Sequence, residues 1–409
     1  MLRCLCVIAL FVAVFVSIAN ADESANEIEA KAIQLKSKGD AAGALAAYQR
    51  AATLEPRNPR FQDEIGFLLA VLGRTPEAVS HFQNAIKLDP DLSAAHYHLG
   101  IALWLSQQQS LSISELQAAV TLEPKNPEYQ SRLGEGLASM GKWAEALPAL
   151  KAGTELKPQD AAAWNRLGGA LEKTNDPLAA LDAYRTAVEL DASNSSARLK
   201  YGMMLVYTHH PEEGMAQFEK VLADDPANIT ARLNIGFVHL QKRELDQAIP
   251  QFREVIAHDP KNAVAHYNLG VALKDKDDID GAKAELGAAI ECDPSMAEAH
   301  YMLGISAWQS GEFDAAAKEM RAAIAVRPTY ADAFFMLGTA LKQKGDTAAA
   351  EEALRTAIRL DPGNPGPYNT LGQILRQKGA IEESKKMFAE GARVKQAKEN
   401  ELGVMLQRN

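Results

Sequence analysis

The chain has 409 residues and a net charge of −10, with 53 acidic against 43 basic side chains. That balance provides no basic face for a phosphate backbone and argues against a nucleic-acid partner. Three cysteines are too few for a disulfide framework, and length alone suggests two or three domains.

Residues 1–21 read as a secretory signal: Arg3, a short apolar run CLCVIALFVAVFVSI, then Ala19-Asn20-Ala21. Cleavage is expected after Ala21, giving an exported protein, periplasmic or secreted. The run is shorter than the roughly 20 residues a membrane span needs. No later stretch is long and apolar enough to cross a bilayer, so no membrane span is expected after cleavage. Cys4 and Cys6 leave with the signal. Cys292 remains and is expected to be a small buried apolar residue, since Leu88, Leu190 and Leu360 occupy the equivalent place.

From about residue 25 the chain repeats itself. Residues 331–364 show the pattern best. Phe334, Leu337, Gly338 and Leu341 share one face of a first helix. Gly345 is placed to end it, and Asp346 or Thr347 to cap a second helix. That second helix carries Ala350, Leu354 and Ala357 inward and stops before Pro362. Steps of 34 residues from Gly338 meet Gly304, Gly270, Gly236 and so on back to Gly66, with Gly372 ahead. The same step from Pro362 meets proline at every junction except Ala192.

Numbering that proline as position 32, position 8 is Gly in ten of eleven repeats and position 20 is mostly Ala. A mid-helix Gly costs ~1 kcal/mol against Ala, so its recurrence requires a packing reason. The expected reason is close approach of the partner helix, with the Ala of position 20 against the Gly. Position 24 supplies large fillers such as Tyr48, Phe82, Tyr184, Phe218 and Phe252.

At this point the chain resembles a tetratricopeptide repeat array, whose period is 34 residues. The resemblance covers residues 22–398, about eleven repeats. It implies an all-α fold: a right-handed superhelical solenoid of stacked antiparallel helix pairs, with no single closed core. The first repeat has Lys31 and Ala32 where others have an apolar residue and Gly, which suits a capping repeat. The missing proline near 192–196 marks a candidate boundary between subarrays. Residues 399–409 read as the end of a solvating terminal helix, with Val394, Ala397, Leu402 and Met405 as an imperfect apolar stripe.

Catalytic signals are absent, and the chain does not read as an enzyme; no cofactor or metal is expected. The acidic run KDKDDIDG at 274–281 starts like a calcium loop, but Ile279 and Gly281 break the pattern. His209 and His210 lie in a polar turn, and His266 and His300 recur at position 4, where structural aromatics also sit. Asn194 and Asn228 begin glycosylation sequons, relevant only in a eukaryotic secretory route.

Positions 5, 9 and 12 share a stripe on the first helix. By resemblance that stripe faces a concave groove. It carries Tyr97, Ile101 and Trp104 in repeat three, and Phe237 and Leu240 in repeat seven. Repeats eight to ten carry Tyr267, Tyr301, Trp308 and Phe335, with Tyr267, Tyr301 and Phe335 expected to form a ladder. Lys274, Lys342 and Arg376 share position 12, and Asn268 sits at position 6. The stripe points to a protein or peptide partner held in the groove by a non-catalytic scaffold. A second reading is an adaptor in polysaccharide export or envelope assembly, with the aromatics stacked on sugar rings. The opposed reading is that the aromatics pack between neighbouring first helices and seal the inner wall. The Lys and Asn pair at positions 5 and 9 that grips a terminal carboxylate in some relatives of this kind is missing.

Overall fold

The computed structural model describes residues 23–406, and the expected signal at 1–21 lies outside them. The first helices are α1 (Ala25–Ser37), α3 (Pro59–Val71), α5 (Ser93–Leu105), α7 (Pro127–Ser139), α9 (Ala161–Lys173) and α11 (Ser195–Tyr207). They continue with α13 (Ile229–Gln241), α15 (Ala263–Asp275), α17 (Ala297–Gln309), α19 (Ala331–Gln343) and α21 (Pro365–Gln377). The second helices are α2 (Ala41–Leu54), α4 (Thr75–Leu88), α6 (Gln109–Leu122), α8 (Trp143–Leu156), α10 (Pro177–Leu190) and α12 (Pro211–Asp224). They end with α14 (Leu245–His258), α16 (Ile279–Cys292), α18 (Phe313–Val326), α20 (Thr347–Leu360) and α22 (Ile381–Leu406). The described residues are all-α. Each first helix has 13 residues, and each second helix before the last has 14, so the 34-residue period survives without slippage.

The turns explain that regularity. Position 15 adopts the left-handed region in every repeat, six times as Gly, with φ between 74° and 83°. Gln107, Asn175, His209, Arg243 and Asp277 take the same conformation at φ between 59° and 68°, where a side chain is strained. In repeat ten Asp346 N–H donates back to Leu341 O at 3.0 Å, a bond that closes the end of α19. Asp346 then caps α20 through Ala349 N–H. In the acidic run, Asp277 is the left-handed residue and Asp278 caps α16 through Gly281 N–H at 3.0 Å.

The chain divides into two compact halves between Met204 and Leu205, inside α11. In the first half each first helix packs on the second helix that follows, from α1 on α2 to α9 on α10. The same holds in the second half from α13 on α14 to α21 on α22. The tight crossing is at position 8 with position 20 against it, as expected, but the nearest atoms belong to position 24. A Cβ on Gly338 would lie 2.6 Å from Leu354 Cγ, at position 24, and 3.2 Å from the Ala350 carbonyl oxygen, at position 20. The large position-24 side chain lies directly over the glycine, and position 20 contributes its backbone. Tyr184 over Gly168 and Phe252 over Gly236 repeat this at 2.7 Å. Position 20 is small for a second reason: in repeats three and eleven Ser112 and Ser384 donate to the glycine carbonyls of Gly100 and Gly372, at 2.6 and 2.8 Å.

In most repeats position 4 bonds to the repeat before; Phe334 of repeat ten has no donor to do so, and Gln62 of repeat two meets His81 instead. His266 Nε2 lies 3.2 Å from Pro260 O, while its Nδ1 meets Glu285 of α16 at 2.7 Å. His96 and His300 do the same with Pro90 and Pro294, and with Glu115 and Glu319. Gln130 and Trp164 donate to the carbonyls of Pro124 and Pro158, and Arg232 and Tyr368 to those of Pro226 and Pro362.

Cys292 corrects the sequence reading: it is exposed. Position 30 ends the second helix, and Leu54, Leu88 and Val326 there are also 40–52% exposed. In α22, Val394 is half-buried and Ala397 exposed.

Candidate functional site

Within each half the first helices of successive repeats touch directly, as α3 with α5, α7 with α9, and α13 through α21 in order. Their free face is where the predicted site residues lie, and the structure divides them into two kinds.

Most position-5 aromatics serve the stack. Tyr97 is 6% exposed, donates to Glu128 Oε1 at 2.8 Å and stacks on Tyr129 at 4.7 Å between centroids. Burial pushes its phenol up, with help from Glu128. Phe335 covers Gly366, where a Cβ would lie 2.8 Å from Phe335 Cζ. Tyr301 packs on Tyr330 at 5.0 Å, and Tyr330 also lies under the Arg327 guanidinium at 4.8 Å. Arg327 pairs with Glu298. Burial, then Tyr301 and Glu298, push the Tyr330 phenol up to about 12. Among the described residues the ring contacts run from Tyr301 to Tyr330, not from rung to rung of a Tyr267–Tyr301–Phe335 ladder. Tyr267 is half-buried, its phenol pushed up by burial and by Glu298. Asn268 is buried. Lys274 is tied to Asp275 at 2.9 Å, and Lys342 donates to Gln373. Arg376 is exposed, and Phe237 is half-buried.

Other face residues are not consumed by packing. Among the described residues three buried side-chain polar atoms lack a hydrogen-bond partner: Asn165 Oδ1, Arg166 Nε and Trp308 Nε1. All three belong to first helices, at positions 5, 6 and 12. Trp308 is half-buried with its indole N–H unanswered. Trp104 is half-buried and lines a hollow of about 170 Å³ with Ile101, Arg132, Glu135 and Gly136.

Asn165 and Arg166 line a cleft of about 440 Å³ in the first half. Its walls come from α7, α9 and the start of α11, with Trp143 and Tyr184 from second helices. Arg166 Nε is 3.1 Å from Glu135 Oε1 but out of line for a hydrogen bond, and its Nη2 reaches Ser131 Oγ at 3.2 Å. Arg132 shares Glu135 at 3.2 Å. Tyr184 donates to Glu172 Oε2 at 2.9 Å. Lys173 and Lys200 are exposed at the rim. Sequence reasoning missed this cleft. Its signal was the second glycine of the pair Gly168-Gly169, at position 9, where other repeats carry Ile101, Phe237 and Ile305.

Family models of the tetratricopeptide repeat match residues 71–107, 239–304, 301–365 and 341–400. The model of the cytochrome c-type biogenesis protein H TPR domain matches residues 148–266. No curated protein sequence matches the chain. Among solved structures, MamA is 30% identical over 41% of this chain and 97% of its own, with a TM-score of 0.39. Yeast Tom70 is 17% identical over 90% of this chain and 92% of its own, with a TM-score of 0.46. YrrB, described as a TPR protein with an unusual peptide-binding site, is 23% identical over 45% and 95%, with a TM-score of 0.38. With its in-phase helix pairs, its left-handed turns and its position-8 crossings, this chain belongs to the tetratricopeptide repeat family.

Proposed function

We propose that the protein is an exported, non-catalytic scaffold that holds a segment of a partner protein against the free face of its first helices. One observation carries the reading: every buried polar side-chain atom left without a partner among the described residues lies on that face. Buried polar groups in folded proteins are almost always hydrogen-bonded, and an unanswered one costs about 1–3 kcal/mol. Arg166 Nε has the Glu135 carboxylate at 3.1 Å, which leaves Asn165 Oδ1 and Trp308 Nε1; two such atoms on one kind of helix fit a surface completed by something that docks. Support for export comes from the sequence alone, in Arg3, the apolar run and Ala19-Asn20-Ala21.

Trp308→Phe tests this with little disturbance, because it keeps the ring and removes the N–H. The chain starting at Asp22 would be used to capture proteins from an envelope extract, and the captured partner's affinity measured for both forms. Trp308→Phe is expected to weaken it by about tenfold, the worth of one hydrogen bond. Undiminished capture by both Trp308→Phe and Tyr301→Ala removes the binding role of this face in repeat nine.

A further inference from the structure

We propose that the cleft between α7, α9 and α11 receives an extended acidic segment from the interior of a partner chain. The Asn165 carboxamide holds the segment's backbone, and Lys173 and Lys200 face its carboxylate side chain. The inference rests on the reading of the first-helix face as a partner-binding face.

The first reason is space that packing does not explain. Gly168 is required, because a Cβ there would lie 2.7 Å from the Tyr184 ring. Gly169 is not: its Cβ would meet only the Tyr184 hydroxyl, at an ordinary 3.6 Å. Its φ is not in the left-handed region either. A mid-helix glycine with neither excuse weakens α9 for no structural return. What it does is keep the floor of the cleft open, where an isoleucine or phenylalanine of other repeats would fill it.

The second reason is the polarity of the opening. Asn165 Oδ1 is buried and unanswered, and the adjacent Arg166 is already held by Glu135 and Ser131. A carboxamide offers one acceptor and two donors. It can meet the N–H and C=O of a peptide group together, whichever way the amide is turned. An extended peptide is the ligand class that presents such a pair at regular intervals.

The third reason is charge. The cleft sets Arg166, Lys173 and Lys200 against Glu135 and Glu172. Arg132 draws further on Glu135, and Glu172 already accepts from Tyr184. Among the described residues Lys173 and Lys200 make no ion pair, and Lys200 Nζ lies only over the Tyr184 ring, at 5.7 Å. In a chain of net charge −10 this is a local surplus of cations, and it fits a ligand carrying carboxylates.

The test is fluorescence anisotropy on the chain from Asp22, at low and physiological salt. The probe is a labelled peptide of alternating Glu and Ser, acetylated and amidated at its ends. A Lys-for-Glu version and a version with a free C-terminal carboxylate serve as controls. The Glu peptide is expected to bind in preference to the Lys peptide, with blocked and free ends alike. Gly169→Leu, which fills the floor, and the rim double variant Lys173→Glu/Lys200→Glu are each expected to weaken it by about tenfold or more. Both variants should unfold close to the wild-type midpoint, since a Cβ at Gly169 meets the Tyr184 hydroxyl at an ordinary distance and Lys173 and Lys200 are exposed. The proposal is overturned if the Glu peptide does not bind, if Glu and Lys peptides bind equally, or if both variants bind as wild type does. Binding that requires the free C-terminal carboxylate overturns the interior-segment assignment. Failure here with loss of capture in Trp308→Phe would remove the cleft and leave the wider face reading standing.

Discussion

The first helices of repeats four to six and of repeats eight to ten occupy the same places in the fold but use them differently. In the later repeats, position 5 is Tyr267, Tyr301 and Phe335, and Tyr301 and Phe335 are spent on the next repeat, against Tyr330 and Gly366. In repeat five the same position is Asn165, with an unanswered carboxamide oxygen and Gly169 below it. A repeated backbone thus does not fix what a face does. Where the side chain is large and apolar the stack closes on itself; where it is polar and its neighbour is glycine the stack stays open.

The sharpest way to break that contrast is at two glycines. Gly338→Val should cost roughly 3 kcal/mol in chemical denaturation, because its side chain must enter the space of Leu354 and the Ala350 carbonyl. Next in size, Phe335→Ala should cost about 2 kcal/mol, below the range for a fully buried ring because Phe335 is half-buried. Asn165→Ala should stay within about 0.5 kcal/mol of wild type or gain, since it deletes a polar atom that has no partner. Equal losses from Phe335→Ala and Asn165→Ala would erase the distinction. Gly169→Ala should raise stability by about 1 kcal/mol, the helix-propensity gain unopposed by a clash. A loss there of the Gly338→Val size would show that the cleft floor is packed after all.

Smaller effects test features the two regions share. Arg243→Gly and Gln107→Gly should each stabilise by about 0.5–1 kcal/mol, since the left-handed turn strains a side chain more than the added glycine entropy costs. The smallest concerns pH. Lys378 and Arg355 hold the Glu351 carboxylate below its ordinary range. A depressed folded-state value gives a contribution that is complete above about pH 4.3, the unfolded value, and is lost as pH falls through the folded one. Both basic partners are nearly half exposed, so the contribution should be a few tenths of a kcal/mol, and Glu351→Gln should flatten it in acid titrations of stability.

Whatever recurs every 34 residues was legible in the sequence, because each repeat restates it. Helix pairs, Gly345 as a helix stop and Asp346 as a cap are of that kind. The position-8 glycine was read correctly as a tight crossing with position 20 against it, but that Leu354 reaches closest to Gly338 was not foreseen. Direction within a helix pair depends on how far a long side chain reaches back along its helix, which spacing alone does not give. Cys292 was misplaced because apolar residues at position 30 look like core, although the end of a second helix leaves them open. The cleft was hidden for the opposite reason. It is made by a side chain that is not there, at Gly169, and by a carboxamide oxygen, that of Asn165, whose lack of a partner exists only in three dimensions.

The link from position 4 to the preceding position-32 carbonyl is made by histidine, glutamine, tryptophan, arginine or tyrosine. Five unrelated chemistries satisfy one acceptor, and repeat ten, with Phe334 at this position, has no donor at all, so the seam between neighbours does not depend on any one side chain here. Modules joined by so undemanding a seam are interchangeable. Duplication, loss or transplantation of a single 34-residue module leaves the seam on either side intact, and such an array can grow or shrink by whole modules while the faces they display diverge.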